Sequence, residues 1–229
     1  VRAHEILGIA GVSGNGQALL ADLLSGLVAP SGGSVVLRGQ TVSRLTPAAM
    51  IRSGVGRVPD DRTGTGLVAD MTVMENLSTE IYRLPGFSKR GMLNFKALAS
   101  RAAQLMDVFD IRCAGPGAPV RKLSGGNMQK LILARVLSQG PHLILANQPT
   151  WGLDVGATAA VHQHLLDAAR RGAAVVLISE DLDELFLLSD RIQVMYQGRL
   201  SSPEDTATVD RAKLGLMMSG QNFDSRGAA

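Results

Sequence analysis

The stretch from Lys122 to Asp154, KLSGGNMQKLILARVLSQGPHLILANQPTWGLD, constrains this chain more than any other. It reads as a glycine-rich turn, an apolar helix from about Asn127 to Ser138, a buried strand from Leu143 to Ala146, and a second polar turn at Pro149-Thr150 leading to Gly152-Leu153-Asp154. The first turn is Leu123-Ser124-Gly125-Gly126-Asn127. Its adjacent glycines let the backbone approach a bound group closely. The helix behind them points its unpaired N–H groups at the same place, a geometry that favours an anion, commonly phosphate. Ser124 adds a hydroxyl donor. An isolated SGG triplet is more often a flexible loop; here the following Gln129, the helix, the strand and the second turn all agree with a phosphate-handling segment.

The rest of the composition sets bounds. With 229 residues, the chain is long enough for one large α/β domain or a core with a subdomain. Aromatics are only 3%, so the core must be aliphatic. The net charge of +3 is too slight to argue for nucleic acid, and we read no basic run interleaved with aromatics of the kind a stacking platform needs. Cys113 is the one cysteine, which excludes an internal disulfide and a multi-cysteine metal site and fits a reducing compartment. No apolar run reaches membrane-spanning length, and no signal peptide opens the chain.

Taken in order, Ile6 to Ala10 reads as a strand buried on both faces. Gly11-Val12-Ser13-Gly14-Asn15-Gly16-Gln17-Ala18 follows, ahead of a leucine-rich helix. This is the strand–loop–helix setting of a phosphate-binding loop, with the glycine spacing of GxxxxGK[ST]. Gln17 stands where that motif has lysine, and Ala18 where it has the Mg²⁺-binding hydroxyl. A strand over Gly33–Arg38, a short helix from Thr46-Pro47 to Ser53, and a strand over Val55–Val58 come next. A capping box at Thr72–Glu75 opens a helix through about Arg83. Residues 84–93 are basic and punctuated by Pro and Gly, and Asn94 to Asp110 is a second amphipathic helix. Val155–Arg171 reads as a helix in which His162 and His164 face different ways, as ordinary helix residues. Strands over Ala173–Ser179 and Arg191–Tyr196 follow, then a polar tail with a short helix near Lys213–Met218 and disorder beyond Ser219.

These motifs resemble the phosphate loop, signature, Walker B strand and D-loop of the ATP-binding domains of ABC transporters, across nearly the whole chain. The resemblance implies an α/β fold: a P-loop core with a mostly parallel three-layer sheet, an inserted helical subdomain, and a truncated antiparallel β subdomain. It implies core segments at 1–70 and 126–200, a helical subdomain at 71–125, and a tail at 201–229. Strands that usually precede the phosphate loop, with an adenine-stacking aromatic, have no counterpart before Ile6, so the chain is expected to be the second half of a longer polypeptide. The VPDDR run resembles the form seen in importers for simple sugars and nucleosides, and the chain is closest to the C-terminal half of such fused ATPases. The amides Asn147 and Gln148, with the NMQKLILAR run, lean toward the nucleoside branch.

By the same resemblance, Gly11, Ser13, Gly14, Asn15, Gly16, Gln17 and Ala18 would line the nucleotide, with Asp60 at the Q-loop place and Asn147 at the Mg²⁺ carboxylate place. Gln148 stands at the general base and Glu180 at the switch histidine, so no catalytic group is intact. A missing lysine forfeits about 1–4 kcal/mol at effective dielectrics from bulk water to ~20, or about one to three powers of ten in affinity. An amide oxygen is a poor Mg²⁺ ligand, and an amide cannot act as a base, a role typically contributing ~10²–10⁴ in rate. The losses all fall on the site this domain would build around its own nucleotide. The residues it would offer in trans are kept: Leu123, Ser124, Gly125, Gly126, Asn127, Gln129 and Asp154.

The implied ligands are ATP or ADP, bound weakly in this half, with Mg²⁺ in the partner's site. The implied partners are a second ATP-binding domain paired head to tail, within the same polypeptide, and transmembrane permease subunits, with a periplasmic or lipid-anchored solute-binding protein engaged indirectly. The implied location is the cytoplasmic face of the membrane. Two alternatives stay open: a nucleotide-free scaffold half, and a soluble ABC ATPase, although the latter usually carries long insertions and intact catalytic residues.

Overall fold

The computed structural model describes residues 1–223, which divide into two units. The first comprises Val1–Arg57, Pro141–Gln148 and the chain from Leu165 onward. Three uninterrupted apolar runs form its centre: β1 (Ile6–Ala10), β7 (Leu143–Asn147) and β8 (Ala174–Ser179), with every residue of each buried. Strands that are apolar at consecutive positions can be covered on both faces, and they pair in parallel here: β1 with β8, and β8 with β7. On the other side of β1 lies β9 (Arg191–Tyr196), also parallel. The sheet order is β10-β9-β1-β8-β7-β4, where β4 is Val55–Val58 and β10 is Arg199–Leu200. β10 and β11 (Glu204–Asp205) pair antiparallel with β9. Ile9, Leu145, Val176 and Ile178 centre a wholly aliphatic core, with Ala21 of α1 (Gln17–Leu24) and Met50 of α2 (Pro47–Arg52) packed against it.

The strand expected over Gly33–Arg38 is shorter. β2 (Val36–Leu37) and β3 (Gln40–Thr41) form a separate hairpin that turns at Arg38-Gly39, both with positive φ. α2 starts as expected, with Thr46 as cap and Pro47 at the first position.

The second unit comprises Val58–Gly140 and Pro149–His164. Its helices are α3 (Val73–Ser78), α4 (Phe95–Val108) and α5 (Gly125–Leu137), which pack on one another. The α3 capping box is formed: Thr72 Oγ1 accepts from Glu75 N–H, and the Glu75 carboxylate accepts from Thr72 N–H at 2.7 Å. α3 stops at Ser78, earlier than the Arg83 read from sequence, and turns carry the chain to a second hairpin, β5 (Ser88–Lys89) with β6 (Met92–Leu93). α4 buries Leu98, Ala102 and Leu105, spaced for one helix face. The long helix α6 (Val155–Arg170) starts in this unit and ends in the first.

After β8, α7 (Leu182–Leu188) is capped by Asp181, and α8 (Arg211–Met218) is capped by Asp210. Phe223 lies 5.7 Å from the Tyr196 ring. The remainder of the tail expected to be disordered, 224–229, lies outside the described residues.

Candidate functional site

In an open parallel sheet, ligands gather at the carboxyl ends of the strands, where strand order reverses. The first unit has such a reversal, since the chain fills β4, β7 and β8 and then crosses β1 to reach β9. The register sets Ala10 beside Ser179, and Asn147 beside Ile178. The next residues along these three strands are therefore neighbours at one edge: Gly11, Glu180 and Gln148. Gln148 holds a left-handed φ of 46°, its N–H donates to Ile178 O at 2.8 Å, and its side-chain oxygen is 3.5 Å from Glu180 N. Asn147 is buried and Glu180 is exposed.

The loop from Gly11 to Gly16 is closed by one carbonyl. Val12 O accepts from Asn15 N–H (3.3 Å), Asn15 Nδ2 (3.0 Å) and Gln17 Nε2 (3.0 Å). Gln17 is 9% exposed, so the residue in the lysine place turns into the loop. Asn15 also ties the loop to the β9–β10 turn, its side-chain oxygen accepting from Gln197 N–H and its carbonyl from Gly198 N–H. Gly14 and Gly16 have positive φ, and a Cβ at Gly14 would meet open space, so the cradle is open on that side. Gly16 caps α1 with no side-chain acceptor, which leaves the first-turn N–H groups to water or an anion. Ser13 and Ala18 are exposed.

That geometry fits a phosphate group. The donor set does not fit Mg²⁺, which favours charged or water oxygens in a tight octahedron. Ala18 brings no oxygen, Asn147 brings an amide, and among the described residues no cluster of His, Cys, Asp or Glu could hold a metal ion.

The second unit assembles a different set. Ser124 caps α5, accepting from Asn127 N–H at 3.4 Å and from Asn127 Nδ2 at 2.9 Å, while Asn127 Oδ1 accepts from Arg112 N–H at 2.8 Å. Ser124 and Gly125 are exposed, Gly126 and Asn127 half-buried. A Cβ on Gly126 would lie 3.0 Å from Ala157 Cβ, so α5 and the start of α6 approach through this glycine. Asp154 is exposed and accepts from Ala157 N–H at 2.8 Å. Arg62 donates to Trp151 O at 2.9 Å and joins the loop after β4 to the turn before Asp154. Asp60 opens that loop, exposed, in this unit. The neighbouring Asp61 carboxylate sits below its ordinary range because the N–H groups of Gly64 and Thr63 and the Thr63 hydroxyl donate to it. It caps a single π-helical turn, Arg62–Gly66.

Two of the residues expected to face a partner are buried instead. Leu123 anchors the turn from inside, and Gln129, 1% exposed, points its amide into the helix packing with neither atom hydrogen-bonded. Sequence reasoning passed over Val12 O, Arg62 and Trp151. The donors on Val12 O lie only 3 and 5 residues along the chain, but no residue type announces the bond, and the partner of Arg62 is 89 residues away. Trp151 did have one, as the sole tryptophan set in a polar turn. It is 71% exposed, and Val155 beside it is 87% exposed.

Residues 1–151 match the family of ABC transporters. Among curated proteins, the chain is 41% identical over 224 residues to the nucleoside import ATP-binding protein NupA of Lactococcus lactis subsp. cremoris, covering 98% of this chain and 44% of the relative. It is 39% identical over 229 residues to the guanosine import ATP-binding protein NupO of Bacillus subtilis (100% and 45%). It is 43% identical over 225 residues to the glucose import ATP-binding protein TsgD13 of Haloferax volcanii (96% and 40%). The chain thus spans less than half the length of these relatives. Among solved structures, a dimeric ATP-binding cassette in a post-hydrolysis state with ADP and Pi superposes with a TM-score of 0.74 at 24% identity, covering 89% of this chain and 86% of that one. A nucleotide-free cassette superposes with a TM-score of 0.73 at 21% identity (99% and 87%). Both identities are low enough that these likenesses speak for the fold alone.

Proposed function

The chain belongs to the ABC transporter family, and from that premise we propose that it is one ATP-binding half of an importer for a nucleoside or simple sugar, degenerate at its own nucleotide site and active in trans through Ser124–Asn127. The observation that carries this reading is the contrast between the two units. At the sheet edge of the first, the positions for charge, metal and base hold Gln17, Ala18, Asn147, Gln148 and Glu180. In the second, a capped helix N-terminus with exposed Ser124 and Gly125 stands with an intact Asp154.

The parts divide as follows. The glycine cradle and the first turn of α1 bind phosphate through N–H groups. With no lysine and no carboxylate, that site holds nucleotide weakly and does not activate water. Ser124, Gly125 and the first turn of α5 supply a hydroxyl and N–H donors to the γ-phosphate of an ATP held by the other half, where Mg²⁺ and the catalytic base reside. Closure around that ATP moves the permease subunits at the cytoplasmic face of the membrane. The names of the relatives favour a nucleoside or a sugar as cargo. One observation favours a second reading, a half that never binds nucleotide: Gln17 Nε2 is already committed to Val12 O.

The test is ATP turnover by the complete transporter. Ser124→Arg or Gly125→Asp should abolish it, and near-normal turnover would sink the trans role. Gln17→Ala should cost far less than removing the lysine of the other half's loop; equal losses would mean that this site hydrolyses. Calorimetric titration of the chain with ATP separates the two readings, because weak but saturable binding excludes the nucleotide-free scaffold.

A further inference from the structure

We propose that the β5–β6 hairpin and its flanks form a membrane-surface contact that takes anionic phospholipid headgroups. From Ile81 to Met106 the chain has no Asp or Glu and carries Arg83, Lys89, Arg90, Lys96 and Arg101. Arg101 turns back to Ser138 O, and Arg83 lies over the Tyr82 ring at 5.2 Å. Among the described residues, Lys89, Arg90 and Lys96 are exposed and none pairs with a carboxylate. That is an unusual local imbalance in a chain whose net charge is only +3.

The same segment exposes apolar side chains: Met92 at 74%, Phe95 at 59% and Leu84 at 49%. In the hairpin, Lys89 lies directly opposite Met92, so an ammonium and an apolar side chain share the strand pair just behind the turn. The turn itself is Arg90-Gly91, with φ of 52° and 82°. Two positive φ values in a two-residue turn favour Asn-Gly. Here an arginine holds the strained first position and puts a cation at the tip.

Cations with long stems beside a small exposed apolar patch are the pattern that seats at a headgroup boundary: the charges meet anionic lipid while the apolar groups enter the acyl edge. Tyr82, Phe87 and Phe95 do stand among these cations, which corrects the reading that no basic stretch is interleaved with aromatics. The surface still fits lipid better than a nucleic-acid strand. Phe87 is half-buried, and the most exposed apolar side chain of the segment is the flexible thioether of Met92, which offers no flat face for a base. That leaves Phe95, 59% exposed, as the segment's main exposed ring, too few for a stacking platform.

The inference goes beyond the nucleotide chemistry and is read without it. The chain is mixed with vesicles of phosphatidylcholine alone or with added phosphatidylglycerol, and the bound fraction is measured by flotation. Binding is expected on the anionic vesicles only, with loss in 0.5 M salt, where the screening length is about 4 Å against about 10 Å at 0.1 M. Lys89→Ser with Arg90→Asn, which gives the turn its favoured residue, should weaken binding roughly 25-fold, at roughly fivefold per cation. Met92→Ser with Phe95→Ser should weaken it at least about tenfold. Unchanged melting temperatures show that the variants fold. No binding, equal binding to zwitterionic vesicles, or anionic binding indifferent to Met92 and Phe95 would each overturn the proposal. So would a single-stranded RNA oligonucleotide that binds through the same residues more tightly than the vesicles do. ATP titration of the same variants keeps the two readings apart, since a failed flotation with intact nucleotide binding removes only this inference.

Discussion

Replacing Gln17 with lysine restores one charge to a loop that otherwise has the shape for phosphate. Gln17 is 9% exposed, with its amide 3.0 Å from Val12 O. A lysine at this place keeps a donor for Val12 O in the empty loop and frees it for phosphate when nucleotide enters. A unit charge about 4 Å from a phosphate oxygen is worth about 1 kcal/mol in water and about 4 kcal/mol at an effective dielectric near 20. Releasing the hydrogen bond to Val12 O costs about 1 kcal/mol. The partly buried position favours the upper part of that range, so the net gain is about 1–3 kcal/mol, or roughly 5- to 150-fold in affinity. Calorimetry with ATP and ADP, with and without Mg²⁺, measures it. The gain should be the same in both conditions, because Ala18 and Asn147 still supply no metal ligand. A folded Gln17→Lys variant with unchanged affinity would refute the reasoning, and so would a gain that requires Mg²⁺.

Three further outcomes follow from the packing. Gly11→Ala places a Cβ against Gln17 Nε2 and 2.7 Å from Met195 O, which displaces the side chain that closes the loop; urea denaturation should show a loss of about 2–4 kcal/mol from overpacking and the broken hydrogen bond. Arg135, with 11% of its side chain exposed, donates to Gly66 O at 2.7 Å and pairs with Glu80 at 3.5 Å. Burial pushes the guanidinium pKa down and Glu80 supports it, so Arg135→Met should cost about 3 kcal/mol in the same assay, with much of that recovered when Glu80→Leu is added. Burial would raise the Glu5 carboxyl, but Arg2 N–H and the Arg191 guanidinium outweigh it and hold the folded pKa below the ordinary value. Its contribution is therefore present above about pH 4.3 and disappears as pH falls through the folded value; the urea midpoint of Glu5→Gln should fall less across that window than that of the parent.

The centre of the sheet was legible because β1, β7 and β8 are apolar almost throughout, whereas β9 mixes Arg191 and Gln193 with its apolar residues. Ile6–Ala10 and Arg191–Tyr196 occupy the spans read from sequence, and Thr46, Thr72 and Asn94 each cap the helix their residue type announces. Two glycines hid the true start of α5. They read as a turn, yet with Ser124 as cap they are the helix's first turn, two residues before Asn127. The β5–β6 hairpin was opaque because its turn is Arg-Gly, and arginine gives no turn signal of its own. At the candidate site, the neighbourhood of Gly11, Gln148 and Glu180 depends on sheet register, which joins residues far apart in the chain. The burial of Gln129 was invisible for the opposite reason, since a polar residue after a turn reads as exposed.

One of these residues carries its own optical signal. Trp151 is the sole tryptophan in the sequence, and most of its indole faces solvent on the turn that leads to Asp154. Excited at a wavelength that only tryptophan absorbs, the unlabelled chain therefore fluoresces from a single address, with emission characteristic of a wet indole. Any association that covers this turn must move that emission to the blue and shield it from soluble quenchers, while events confined to remote surfaces leave it unchanged. Pairing with the other half proposed above could then be followed in real time, with no dye and no engineered probe.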